Sequence, residues 1–237
     1  MYETHPYFNH PPDDTVLWRY MDFTKFISLL DTSCLFLART DTLGDPFEGA
    51  LTDADMGLLD SYYSELDQKT WIRVAKAMRR NALISCWCEN SSESDAMWRL
   101  YSRKKNGIAI KTVFSSFKES MTDERYIHVG RIKYIDYEND FAGTGNVFKP
   151  FLCKRRAFEH EQEVRAVHIH MPDGPYAAFS DAGMCYQVDL SLLIQEVIVA
   201  PCADDWFLEL VKSVVARYKL EAPVNKSEMD RLPAWVR

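Results

Sequence analysis

No apolar run in the chain approaches the ~20 residues that a membrane-crossing helix needs, and the N-terminus lacks a secretory hydrophobic stretch. No membrane partner is therefore expected. Glycine is scarce, at 9 of 237 residues, and neither the G-x-x-x-x-G-K-[ST] nor the G-x-G-x-x-G fingerprint is present. The usual glycine-rich cradles for a phosphate are thus excluded. Cysteine pairs with metal-ligand spacing are missing too. Cys34, Cys86, Cys88, Cys153, Cys185 and Cys202 are irregularly spaced, and Cys86-Trp87-Cys88 is a C-x-C with no second pair. The chain reads as a reduced, cytoplasmic protein without structural zinc. Positive charge is also in deficit: 28 basic against 35 acidic residues leave a net charge of −7. That balance argues against a bulk electrostatic binder of nucleic acid.

What is present is an ordinary globular composition, 47% hydrophobic and 27% charged, with aromatics at 13%. Residues 1–14, with three prolines and no periodicity, are expected as an extended N-terminal arm. Residues 15–237 are expected to form one compact α+β domain, a mixed, largely antiparallel sheet with surrounding helices. Strands are predicted at "TVLWRYMD", "SCLFLART", "ALISCWCE", "NGIAIKT", "YIHVGRIKYIDY", "QEVRAVHIH", "MCYQVDL" and "IQEVIVAP". Helices are predicted at "FTKFISLLD", capped by Asp22 or Thr24, across Asp53 to Arg80, and at "AMWRLYS", "VFSSFKESM" and "FLCKRRAFEH". A further helix, "DWFLELVKSVVARYKL", begins at a cap from Asp204.

The segment "EHEQEVRAVHIH" concentrates the chemistry. As a strand it places Glu161, Glu163, Arg165, Val167 and Ile169 on one face, running from a cleft rim into a core. The same residues also read as solvated pairs with Arg165 and the Lys154-Arg155-Arg156 run. His168 and His170 could share a strand face as metal ligands, but no third ligand is evident, and "HEQE" lacks the second histidine of a zinc motif. Arg19 sits between Trp18 and Tyr20, where its planar fork suits a phosphate or a structural ion pair. Ser85 and Trp87 share a face opposite Cys86, and Met97, Trp98 and Tyr101 belong to a short helix whose default role is packing. Asp45 and Glu48 fall in the turn-rich loop "GDPFEG".

In order, "WRYMDFTKFISLL", "LFLARTDTLGDPFEG", "ISCWCENSSESDAMWRLYSRKKNGIAI", "KRRAFEHEQEVR" and "EVIVAP" resemble the bacterial family known as domain of unknown function 2971, over roughly residues 16 to 228. That resemblance implies a fold and a site location but no reaction. The order of Arg19, Ser85 and Glu163, with Glu161-Gln162-Glu163 as an E-x-E, is similar to that of ADP-ribosyltransferases. The S-T-S run of that family is absent after Ser85. The resemblance implies NAD as a substrate, Arg19 and Ser85 holding it, and Glu163 with Glu161 stabilising a cationic ribose.

The site expected from all this has Glu163 and Glu161 as catalytic residues. Arg19, Tyr20, Ser85, Trp87, Trp98, Tyr101 and Arg165 bind a small-molecule or nucleotide ligand, and no metal is involved. Two other readings stay open. One is a non-catalytic ligand-sensing or interaction module of a defence or toxin system. The other is a metal-dependent nuclease using Glu161, Glu163 and Asp45. Nothing in the sequence fixes the oligomeric state.

Overall fold

The computed structural model describes residues 1–102, 104–143, 145–171 and 177–236. The basic cluster at Arg103 and the start of the "DGPYAAFSDAG" connector fall outside them. The strands are β1 (Val16–Asp22), β2 (Cys34–Arg39), β3 (Ala82–Glu89), β4 (Gly107–Val113), β5 (His128–Arg131), β6 (Lys133–Ile135), β7 (Cys153–Arg155), β8 (Glu163–Ile169), β9 (Gly183–Gln187), β10 (Glu196–Val199) and β11 (Val224–Lys226). The helices are α1 (Phe23–Thr32), α2 (Asp53–Tyr62), α3 (Glu65–Asn81), α4 (Asp95–Tyr101), α5 (Phe114–Glu119), α6 (Leu190–Leu193) and α7 (Asp205–Arg217). They form a single α+β domain around a nine-stranded, largely antiparallel sheet.

Local chemistry sets most of the boundaries. Asp22 ends β1 and caps α1, accepting from the Lys25 amide at 2.9 Å. The region from Asp53 to Arg80 is two helices rather than one. Thr52 and Asp55 make a reciprocal capping box for α2, and Ser64 caps α3 anew. Asp204 holds the N-cap position of α7 without a side-chain cap bond; its carboxylate meets Lys105 at 3.4 Å instead.

The sheet runs β11-β10-β4-β1-β3-β2-β9, with β8 on β3 and β5 on β8. Among the described residues, only β10 and β11 pair in parallel within it. β3 is the branch point. One edge pairs with β8 from Ala82↔Ile169 to Cys88↔Glu163. The other edge meets β2 at Leu83 and Ile84 and β1 at Cys88 and Glu89. Between those contacts, at Ser85 to Trp87, β1 and β2 diverge and the sheet is split.

Helices α1, α5 and α7 cover one face, burying Leu17, Met21, Phe26, Trp87, Ile108, Phe117 and Phe207 in the main core. The opposite face carries a smaller aromatic cluster of Trp18, Tyr20 and Trp98 under α4. The N-terminal residues cross that second side of the sheet edge. Tyr2 bridges Ile127, Asn9 bridges Arg131, and Phe8 is buried.

Two expectations need correction. "FLCKRRAFEH" is not a helix: 3-10 turns at Lys149–Leu152 and Arg156–Glu161 flank strand β7, which pairs in parallel with β6. Burial of Cys153 beside Ile135 and Tyr137, and of Lys154 against acids, overrides helix propensity there. "YIHVGRIKYIDY" likewise breaks at Ile132 into β5 and β6, which join different sheets.

Candidate functional site

Strand alternation divides the expected site residues between the two faces of the sheet. Trp18, Cys88 and Glu163 are in register across β1, β3 and β8, so they project together, along with Tyr20, Cys86 and Arg165. Arg19, Ser85 and Trp87 project to the other side.

On that other side, the Arg19 guanidinium donates to Ser85 Oγ and lies 5.6 Å from the centre of the Trp87 ring. It sits between Leu17 and Met21 at the mouth of the main core, half-buried, in the gap where β1 leaves β3. Among the described residues no carboxylate pairs with it. Burial pushes its pKa down to about 10. The buried indole nitrogen of Trp87 has no hydrogen-bond partner among the described residues either. The split thus gathers a guanidinium, an indole N–H and a hydroxyl, a set rich in donors and without a full negative charge.

The first face holds a buried ion cluster. Arg165, with 0% of its surface exposed, grips Glu163 through Nε at 2.8 Å and Nη2 at 3.0 Å. It holds Glu48 through Nη1 at 3.0 Å and Nη2 at 3.2 Å, and the Phe151 carbonyl at 2.7 Å. Lys154 Nζ sits where three carboxylates converge, 2.5 Å from Glu161, 3.1 Å from Glu163 and 3.3 Å from Glu48. Tyr101, from α4, donates its hydroxyl to Glu161 at 2.7 Å, and the Glu163 amide donates to Tyr134 Oη at 2.8 Å.

Three acids against two bases in a dry site leave one formal negative charge, and the neighbouring groups respond. Burial alone would raise the Glu163 carboxyl, but Arg165 and Lys154 hold it at about 2. Burial and then Glu163 push the Cys86 thiol well above its ordinary range. Cys86 therefore stays protonated and hydrogen-bonds Glu163. Burial, then Glu161, raises the Tyr101 phenol, which stays neutral as a donor.

The structure corrects the geometry expected of "EHEQEVRAVHIH". Glu161 is not on the strand: it ends a 3-10 turn, Gln162 takes a left-handed conformation at φ 43°, and β8 starts at Glu163. The two acids therefore meet Lys154 from a turn and from a strand. They are not surface pairs, being 5% and 3% exposed. Tyr20, Trp98 and Trp87 are packed away. Tyr20 and Trp98 meet edge to face at 4.9 Å, and Trp87 tilts onto Phe117 at 4.7 Å. None of the three presents an open ring face for a ligand to stack on.

Sequence reasoning gave too little weight to Glu48 and Lys154. The signal was there for Glu48, a carboxylate in a glycine-bounded loop, but a long-range partner such as Arg165 cannot be read from spacing. Asp45 does not join the cluster, since Arg155 engages it at 2.8 and 3.2 Å. Among the described residues no group of three or more His, Cys, Asp or Glu is arranged to hold a metal ion. His168 and His170 turn to separate partners, the Tyr126 carbonyl at 2.8 Å and the Phe179 ring.

No family model matches the chain and no curated protein matches it, so the resemblance to the 2971 family rests on the ordered motifs alone. Two solved structures align with the chain at low similarity. One is Thermus sp. 2.9 DarT in complex with carba-NAD+, with TM-score 0.44 and 9% identity over 93% of this chain and 98% of that one. The other is Thermus sp. 2.9 DarT in complex with ADP-ribosylated ssDNA, with TM-score 0.43 and 10% identity over 94% and 98%. Similarity at this level carries no argument, and the functional reading rests on this chain's own residues.

Proposed function

We propose that the chain binds an anionic, nucleotide-like molecule in the split between β1 and β3, and that it uses NAD as a substrate in an ADP-ribosyltransferase-like reaction. One observation carries the reading: Arg19 is a half-buried guanidinium with no carboxylate partner among the described residues. Desolvating a cation without a counter-charge is costly, and a pyrophosphate supplies the missing charge through the planar fork. Ser85 is already on that fork.

In the reaction, the bond between the ribose C1′ and the nicotinamide nitrogen breaks and nicotinamide leaves with the electron pair. The ribose is cationic until an acceptor's lone pair closes on C1′ and that acceptor loses its proton. A fixed, ionised carboxylate favours such a transition state. Glu163, and with it Glu161, lies on the opposite face of the sheet from Arg19 and Ser85, so a ligand held by Arg19 reaches these carboxylates only through the split between β1 and β3. Glu163 is ionised but shared between Arg165 and Lys154, which take up its field. Glu161 has one ammonium and one neutral phenol, so more of its charge is free to act. The reading assigns Glu161 the electrostatic role and Glu163 the support of it.

The test is nicotinamide release from NAD by purified protein, offered a range of protein and nucleic-acid acceptors. The reading expects release by wild type, a loss of at least tenfold in Glu161→Gln, and a similar loss in Arg19→Gln. Absence of release with every acceptor, or release by either variant equal to that of wild type, overturns it.

A second reading is favoured by the same ion cluster. Each carboxylate in it is already engaged by a cation, as in a scaffold that braces a ligand-sensing module. For that module, NAD raises the melting temperature of wild type without turnover.

A further inference from the structure

A separate cavity of about 230 Å³ lies between α3 and the segment 145–151, with Gly143 beside it. Trp71, Val74, Ala75 and Met78 of α3 form one wall, and Gly49 and Phe151 form the wall opposite. Among the described residues no charged side chain lines it. The polar side chain at its edge is Asn146, whose Oδ1 accepts from the Phe148 amide at 2.8 Å and whose amide nitrogen is free among the described residues.

At ~30 Å³ per water, this volume holds roughly eight waters, or one ring system of about ten heavy atoms. Waters in such a space have almost nothing to bond to, so an apolar occupant displaces them favourably. An ion would enter at a large desolvation cost with nothing to pair it. The chemistry selects a small, uncharged, planar molecule, with at most one acceptor directed at Asn146.

The far wall is thin. Gly49 adopts φ +67°, and a Cβ there would meet the Phe151 ring at 2.3 Å, so only glycine allows these two to close the cavity. Immediately behind them lie the Glu48 carboxylate and the Phe151 carbonyl, both bonded to Arg165. Arg79 of α3 fastens the same loop, donating to the Glu48 carbonyl at 2.8 Å.

We infer that this cavity is a binding site for an uncharged aromatic molecule of one or two fused rings, distinct from the nucleotide site, and that its occupancy is transmitted to the ion cluster through Glu48 and Phe151. The inference goes beyond the NAD reading and stands without it.

Indole is a suitable probe, with indole-3-acetate as its charged counterpart. Indole at ten times its Kd raises the melting temperature by about 3–6 °C, and the acetate at equal concentration does so far less. Ala75→Phe fills the cavity and abolishes the indole shift while melting near or above wild type. Met78→Trp narrows it from the next turn of α3 and serves if Ala75→Phe does not fold. Hydrogen exchange reads the coupling: indole slows the amides of Phe151 to Lys154 in wild type and not in the filled variant. No shift with indole at millimolar concentration, or the same shift in the filled variant, overturns the site. A shift without slowed exchange at those amides overturns the coupling.

Discussion

Tyr101 donates its hydroxyl to Glu161 across 2.7 Å, so a phenol that is 45% exposed closes over a carboxylate that is only 5% exposed. Tyr101 is thus the outermost member of the ion cluster, and the side chain that a ligand approaching Glu161 meets first. Tyr101→Phe removes that bond and little else. Denaturant unfolding is expected to show a loss of about 1 kcal/mol or less. Nicotinamide release is expected to change more than stability does, because the Glu161 charge loses its donor.

Arg165 behaves differently. Its removal leaves Glu48 and Glu163 buried with only Lys154 between them. Arg165→Met is expected to cost about 3–5 kcal/mol, read as a lower denaturant midpoint with an unchanged slope. A change below about 1 kcal/mol would mean that the cluster is not buried as described.

Acid should weaken the fold through Glu163. Its carboxyl ordinarily titrates at 4.5 and is held at about 2 in the folded chain by Arg165 and Lys154, against the effect of burial. The unfolded chain therefore binds the proton first. The stabilisation is complete above about pH 4.5 and is lost as pH falls towards 2. Melting temperature plotted against pH should fall across that window, and Glu163→Gln should flatten the fall.

The cysteines should separate by reactivity. Cys185 and Cys202 are exposed, whereas Cys34, Cys88 and Cys153 are buried. Cys86 is kept protonated by burial and by Glu163. Brief alkylation of native protein at pH 8, followed by mass spectrometry, is expected to label Cys202 first and Cys185 next. Cys185 lags because burial and the neighbouring Cys34 raise its thiol. Cys86 should react only after denaturation.

Much of the fold was legible in the chain. β1, β3, β4 and α1 follow from β-branched and aromatic runs and from the Asp22 cap, which are local signals. β7 and β11 were not foreseen, since three residues each give no periodicity and their pairing is set by distant partners. Which of the candidate residues come together was legible only in part. Arg19 and Ser85 do meet, as do Tyr101, Glu161, Glu163 and Arg165. Strand alternation puts these two groups on opposite faces, and the split at β3 beside Arg19 is a property of sheet branching, which no local pattern encodes. The burial of Trp87 and Trp98 is likewise set at long range, by Phe117 of α5 against Trp87 and by α4, which carries Trp98, docking on Tyr20.

The account turns on Arg19. If its unpaired charge is kept for a ligand, removing it should not harm the free protein, and Arg19→Met should melt at or above wild type. The most direct measurement is the melting temperature of wild type and Arg19→Met, each with and without NAD. The account predicts a rise with NAD in wild type and none, or a rise needing at least tenfold more NAD, in Arg19→Met. Equal rises in the two proteins, or no rise in wild type at millimolar NAD, would contradict it.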